Sequence, residues 1–146
     1  MEPPAPNSIP SAADINVFNT LDEKHAVKNF LGKNLAQAEA MFRENFLHYQ
    51  EDLFWMGPKA FCFYVLAAMN YLRSEQSSGD ADAANTFRGC VEFQAEQHSG
   101  GIAPALPAIR ECLRAMLDEI DRYDCDPDIY GDMAKKYQKL LAKLEG

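Results

Sequence analysis

Apolar residues recur every three or four positions along most of the chain, and few segments alternate with a period of two. This spacing is typical of amphipathic helices and predicts an all-α protein. Residues that cap helices mark several helix starts: Thr20 with Glu23 three residues later, Asn34, and Asp80. Caps and apolar stripes together predict about six helices. Gly89 falls inside the fourth of them, where we interpret it as allowing a close helix contact.

The segment after the Gly57-Pro58 step is apolar on nearly every face. It extends over residues 58–72, with Pro58 at the first helical position. A helix of this kind belongs at the centre of a bundle. We therefore predict a single-domain bundle around this helix, with Phe61 and Leu66 as leading core residues. The uninterrupted apolar part is about 15 residues long, short of the roughly 20 that cross a bilayer, so we expect no membrane partner.

The N-terminal residues carry four prolines and no helical pattern. We interpret residues 1–19 as a flexible, Pro-rich leader and residues 20–146 as a single α-helical domain. The start of the chain lacks the basic and apolar regions of a signal peptide. The four cysteines form no CxxC pair, and three of them lie in apolar helical stretches. These features predict a reduced, cytoplasmic protein without disulfides.

Acidic residues outnumber basic ones by 22 to 14, which gives a formal net charge of -8. This balance disfavours nucleic acid as a partner, because a nucleic-acid binder needs a basic face. It favours a basic protein, although solubility alone is the simplest explanation. The charge is uneven along the chain. Residues 118–132, here called the acidic segment, contain seven acids and one arginine, whereas residues 133–146 contain four lysines and one glutamate.

Within the acidic segment, Asp124, Asp126 and Asp128 have the 1-3-5 spacing of a calcium-binding EF-hand loop. The rest of that template fails, because Ile129 replaces the required glycine and Lys135 the required glutamate. Two other interpretations stay open: a solvated turn whose acids cap the last helix, and a contact for a basic partner. The candidate contact residues are six aspartates and one aromatic residue beside the Gly-Pro step: Asp118, Asp121, Asp124, Asp126, Asp128, Asp132 and Trp55. An exposed tryptophan often anchors a partner, although Trp55 could also pack in the core.

Two other groups of residues could carry chemistry. Glu44, His48 and Glu51 fall on one face of the second predicted helix, where they could bind a transition metal or act as an acid–base pair. Cys90 and His98 are close in sequence, but Cys90 lies on an apolar face that would disfavour its thiolate. The chain contains no nucleophile elbow, phosphate-binding loop or dinucleotide-binding motif. We therefore assign no catalytic, cofactor-binding or metal-binding residue.

Residues 51–72, EDLFWMGPKAFCFYVLAAMNYL, resemble a segment of uncharacterised bacterial helical proteins. In those proteins a proline leads into an aromatic-rich motif of the kind PEAFxYYLPAxL. The matching residues here are Pro58, Ala60, Phe61, Tyr64 and Leu66, and the second proline of the motif is missing. The resemblance covers less than a third of the chain. It implies a helical fold and a bacterial origin, and some such proteins look like companions of toxins.

The sequence thus favours a non-enzymatic, cytoplasmic helical domain that binds another protein. In its most concrete form this hypothesis describes an immunity-type protein that neutralises a basic bacterial toxin. Two alternatives stay open. One is an enzyme or metalloprotein centred on Glu44, His48 and Glu51. The other is a homo-oligomeric structural subunit whose exposed aromatic residues form its own interface.

Overall fold

A computed structural model of the chain describes residues 8–145, which form eight α-helices and no strand. The six longer helices are the predicted ones, and the prediction of an all-α, single-domain bundle is confirmed. Two further helices, α1 and α7, are single turns. The bounds are α1 Ala12–Ile15, α2 Leu21–Phe30, α3 Leu35–Trp55, α4 Pro58–Leu72, α5 Ala81–Gln97, α6 Leu106–Asp118, α7 Pro127–Tyr130 and α8 Met133–Glu145.

Helix α4 lies at the centre, as its sequence predicts, and contacts α1, α3, α5 and α6. Phe61 is fully buried. Leu66 is only half-buried, which corrects its prediction as a leading core residue. The reason is that one stripe of α4, from Lys59 through Leu66 to Asn70, is not fully covered by other helices.

Residues 8–19 differ from the predicted flexible leader, because they form part of the fold. Ser11 caps α1, and Ile15 is fully buried. The Ile15 carbonyl accepts a hydrogen bond of 2.9 Å from the Gly57 amide, which attaches α1 to the start of α4. The packing of Ile15 thus outweighs the local prolines. Residues 1–7 of the predicted leader lie outside the described residues.

Helix α3 is bent rather than straight, because Asn45 has non-helical backbone angles (φ -158°, ψ 83°). At the other side of the bundle, α8 packs against α5 and α6. The Tyr137 hydroxyl fixes α8 by donating to the Ala84 carbonyl at 2.7 Å. All four cysteines are free thiols. Across residues 8–145, no helix has both the length and the hydropathy needed to cross a membrane.

Candidate protein-binding surface

The acidic segment is attached to the C-terminal end of α4 by its single arginine. The Arg122 guanidinium donates to the carbonyls of Leu72 and Ser74, each at 3.0 Å. The hydroxyl of the neighbouring Tyr123 donates to the Leu72 carbonyl at 2.7 Å. Carbonyls at the end of a helix have no partner within the helix, and here Arg122 and Tyr123 share them with the Ser77 hydroxyl, which donates to both carbonyls at 2.8 Å. The only base of the acidic segment is therefore turned inward.

The six candidate aspartates, Asp118, Asp121, Asp124, Asp126, Asp128 and Asp132, are all exposed. None of them takes part in an ion pair with any residue that the structure describes. Two of them cap helices. The Asp126 carboxylate accepts from the Asp128 amide at 2.9 Å at the start of α7, and Asp132 accepts from the Lys135 amide at 3.1 Å at the start of α8. Asp126 and Asp132 therefore act as helix caps, as one interpretation of the sequence predicts, and their carboxylates remain exposed to solvent.

A second acidic stretch, residues 75–82, lies beside the acidic segment. The Gly79 amide donates to the Arg122 carbonyl at 2.9 Å, and the Tyr130 hydroxyl donates to Asp82. This hydrogen bond to the Asp82 carboxylate raises the pKa of Tyr130 to about 12. Residues 75–82 contain three acids and no base. We call the two stretches together the acidic face. No local sequence signal predicts their contact, because Arg122 bonds Ser74, Ser77 and Ser78 across more than 40 residues.

The acidic face accounts for the whole net negative charge of the protein. It contains ten acids and one base, out of 22 acids and 14 bases in the whole chain. The remainder therefore contains 12 acids and 13 bases, a formal charge of +1. The excess of acids over bases therefore lies in these two stretches, and one base from outside them, Lys136, contacts the acidic segment by donating to the Tyr130 carbonyl.

The acidic face is concave and carries an exposed apolar residue. Asp121, Asp124, Asp126 and Asp132 line an open depression of about 660 Å³, together with apolar residues such as Met133. Ile129, which the sequence did not single out, projects from α7 with 71% of its surface exposed. An exposed apolar side chain on a segment rich in carboxylates is typical of a protein contact, where a desolvated anchor is rimmed by charge.

Trp55 lies far from the aspartates. It is 42% exposed, while its neighbour Met56 is fully buried. Its ring packs against Phe54 and Phe93, with 5.1 Å between ring centroids in each case. Trp55 precedes the start of α4, whereas the acidic segment contacts the end of that helix. A 15-residue helix is roughly 22 Å long, so the structure does not bring Trp55 and the aspartates into one cluster.

Glu44, His48 and Glu51 are all exposed and are not assembled into a site. The bend at Asn45 separates Glu44 from the other two and breaks the i, i+4 spacing on which the prediction relied. Nor does any group of three or more His, Cys, Asp or Glu side chains within residues 8–145 meet the geometry for holding a metal ion. This finding applies to Glu44, His48 and Glu51, and equally to the aspartates of the acidic segment that have EF-hand spacing. Neither set is arranged to bind a metal ion.

The structure instead places His48 beside His25, which binds a buried carboxylate that the sequence did not reveal. The rings of His48 and His25 lie 6.2 Å apart. His25 Nδ1 is 2.7 Å from Asp52 Oδ1, and because a carboxylate can only accept, this nitrogen carries the hydrogen. Asn29 donates to the other oxygen of Asp52 at 2.7 Å. Asp52 is only 2% exposed, so these bonds offset the cost of burying it and hold α2 on α3.

We expect Asp52→Ala to lower the free energy of unfolding by about 1–3 kcal/mol, because His25 and Asn29 lose their shared acceptor. Urea denaturation measures the change. Glu51→Ala is the matched control, since Glu51 is exposed on the same helix and should change stability by less than about 0.5 kcal/mol. Equal effects of the two variants would contradict a stabilising role for Asp52.

Cys90 and His98 do not form a nucleophile pair. Cys90 is completely buried, and burial raises the pKa of its thiol far above the usual range. His98 is engaged elsewhere, because its ring stacks on Phe18 with 5.6 Å between centroids.

Fold and surface together define an all-α bundle with its negative charge on one face. Comparison with known protein families, curated proteins and solved structures found no match to this chain. The resemblance of residues 51–72 to a bacterial helical family therefore stays a prediction, as does the homo-oligomeric alternative.

Proposed function

We propose that this protein is a non-enzymatic, cytoplasmic domain that binds a basic protein through its acidic face. In its most specific form, it is an immunity-type protein that neutralises a basic bacterial toxin. The observation that carries the proposal is the charge separation: ten acids and one inward-turned base on the acidic face, against a formal +1 for the remainder. Charge needed only for solubility would have no reason to gather at one end.

The proposed mechanism is electrostatic steering followed by occlusion of the partner's surface, with no bond making or breaking. A face of one sign raises the rate of encounter with a partner of the opposite sign. The depression lined by Asp121, Asp124 and Asp132 suits a lysine or arginine side chain, whose aliphatic stem can lie on apolar atoms while its charge meets the carboxylates. Ile129, which is exposed on the same acidic segment, supplies an apolar anchor.

The test is the triple variant Asp124→Asn, Asp126→Asn, Asp128→Asn, assayed by stopped-flow association with a basic protein that binds the unmodified chain. We expect association at low salt to slow about tenfold and its dependence on salt to become flatter, because steering depends on these charges. The fold should persist. Asn caps a helix as well as Asp does at position 126, and it tolerates the left-handed backbone of Asp124 (φ 55°).

A matched control removes three charges outside the acidic face: Asp22→Asn, Glu44→Gln and Glu51→Gln. All three positions are exposed and have no ion-pair partner among the described residues. The net charge changes by the same amount, so a face-specific mechanism predicts a much smaller loss of rate. If both triple variants slowed association equally, only overall charge would matter and the assignment of the acidic face would be wrong.

A further inference from the structure

We propose that a cavity beside the N-terminal half of α4 binds a neutral, hydrocarbon-rich small molecule. The cavity has a volume of about 420 Å³, within the range of about 300–1,000 Å³ that is typical of small-molecule sites. It lies near the end of α4 opposite the acidic face. The inference goes beyond the proposed function and does not depend on it.

The walls come from three parts of the chain. Ile9 contributes from the N-terminal segment, Cys62 and Leu66 from α4, and Ala105 and Ala108 from the start of α6. Leu66 is only half-buried because its side chain lines this cavity. The uncovered stripe of α4 begins with Lys59 and ends with Asn70, but its middle is apolar. Apolar surface that remains open within a concave space is the usual lining of a ligand site.

Close contacts at the start of α4 position two walls of the cavity. A Cβ on Gly57 would lie 2.5 Å from Val17 Cγ2, so α1 and the residues after it sit directly on the helix start. A Cβ on Gly101 would lie 2.7 Å from Pro58 Cβ, so the loop before α6 approaches equally closely on the other side. The Cys62 thiol donates to the Gly101 carbonyl at 3.5 Å. Both walls therefore pack directly against the start of α4.

The charges at the cavity indicate a neutral ligand. Of the side chains that line it, Lys59 and Asp14 carry charge, and they pair with each other at 3.7 Å. The pair is neutral overall, so it offers no net charge that would attract either a carboxylate or an ammonium ligand. Because the remaining walls are mostly apolar, the favourable interaction is the removal of hydrocarbon from water.

The first test titrates the full-length protein with N-phenyl-1-naphthylamine, a neutral fluorescent probe. We expect a saturable increase in fluorescence with one site per chain. 1-Decanol should displace the probe at concentrations about tenfold lower than decanoate or decylammonium, which corresponds to the affinity lost when a charge enters the site. A linear, non-saturating signal would overturn the proposal, and equal displacement by the charged compounds would overturn the assignment of a neutral ligand.

The second test locates the site. Ala108→Phe places a ring in the cavity and should weaken probe binding about tenfold or more. Ala142→Phe adds the same ring at an exposed position of α8 and should leave binding unchanged. Equal affinities for the two variants would place the probe elsewhere and overturn the proposal.

A third test uses the unmodified protein, so misfolding of a variant cannot affect the result. It measures the rate at which iodoacetamide alkylates each cysteine. Cys62 lines the cavity, whereas Cys125 is similarly half-buried outside it. 1-Decanol should slow alkylation of Cys62 and not that of Cys125. An unchanged rate at Cys62, at a decanol concentration that displaces the probe, would exclude this cavity as the site.

Discussion

Replacing Arg122 with methionine should lower the free energy of unfolding by about 3 kcal/mol, one of the two largest effects that we expect in this protein. Its guanidinium donates to the carbonyls of Leu72 and Ser74 and to the hydroxyls of Ser77 and Ser78. Each hydrogen bond from a charged donor contributes about 1.5–3 kcal/mol. The bonds share one side chain and are not additive, so the total is nearer to that of one or two such bonds. Urea denaturation measures the loss.

Two comparisons make the Arg122 prediction specific. Arg43→Met removes an arginine that pairs with Glu39 on the surface of α3, where an i, i+4 pair contributes at most about 0.5 kcal/mol. Arg122→Lys keeps the charge but not the fork of donors, so it should fall between the other two variants. Hydrogen exchange should accelerate in the acidic segment of Arg122→Met, since only the Tyr123 hydroxyl still bonds this segment to the Leu72 carbonyl. Equal losses for Arg43→Met and Arg122→Met would refute the role of the network.

Sequence patterns predicted the helices well, because their boundaries depend on local chemistry. Thr20 and Asn34 cap α2 and α3 through capping boxes, and Asp80 caps α5. Pro58 occupies the first turn of α4, where its missing amide hydrogen is not needed. Each of these residues acts on a backbone group within three positions of itself. Such signals are readable without knowledge of the tertiary structure.

The features that the sequence did not predict depend on contacts between distant residues. The acidic face forms because Arg122 reaches residues 72–78, and Asp52 is buried because His25 and Asn29 come from another helix. Trp55 and the acidic segment were grouped as contact candidates by residue type alone. Their separation by the length of α4 became apparent only from the packing. The acidic segment itself was predictable, because its seven acids are consecutive enough in sequence to be recognised without the structure.

Contacts between distant residues also decide which glycine is needed for close packing, which the sequence alone does not show. Gly89 was interpreted as allowing a close helix contact, but a Cβ there would have no neighbour within 4 Å. Gly57 instead lies directly against the residues that follow α1. We expect Gly57→Ala to lower the free energy of unfolding by about 3 kcal/mol, because a methyl group would collide with the Asp14 carbonyl and Val17. The backbone of Gly57 (φ -58°) suits alanine, so the effect is purely steric.

Gly89→Ala is the matched control for Gly57→Ala, and it should raise the free energy of unfolding by about 0.5–1 kcal/mol, since alanine favours the helix interior. Both variants add one methyl group, so opposite signs in the same urea denaturation experiment isolate the contact at Gly57. A displaced α1 should also show faster hydrogen exchange in Gly57→Ala and weaker binding of the neutral probe, because α1 and Ile9 belong to the same wall of the cavity. If Gly57→Ala were as stable as the unmodified protein, α1 would not be packed on the start of α4, and the cavity would lose its structural basis.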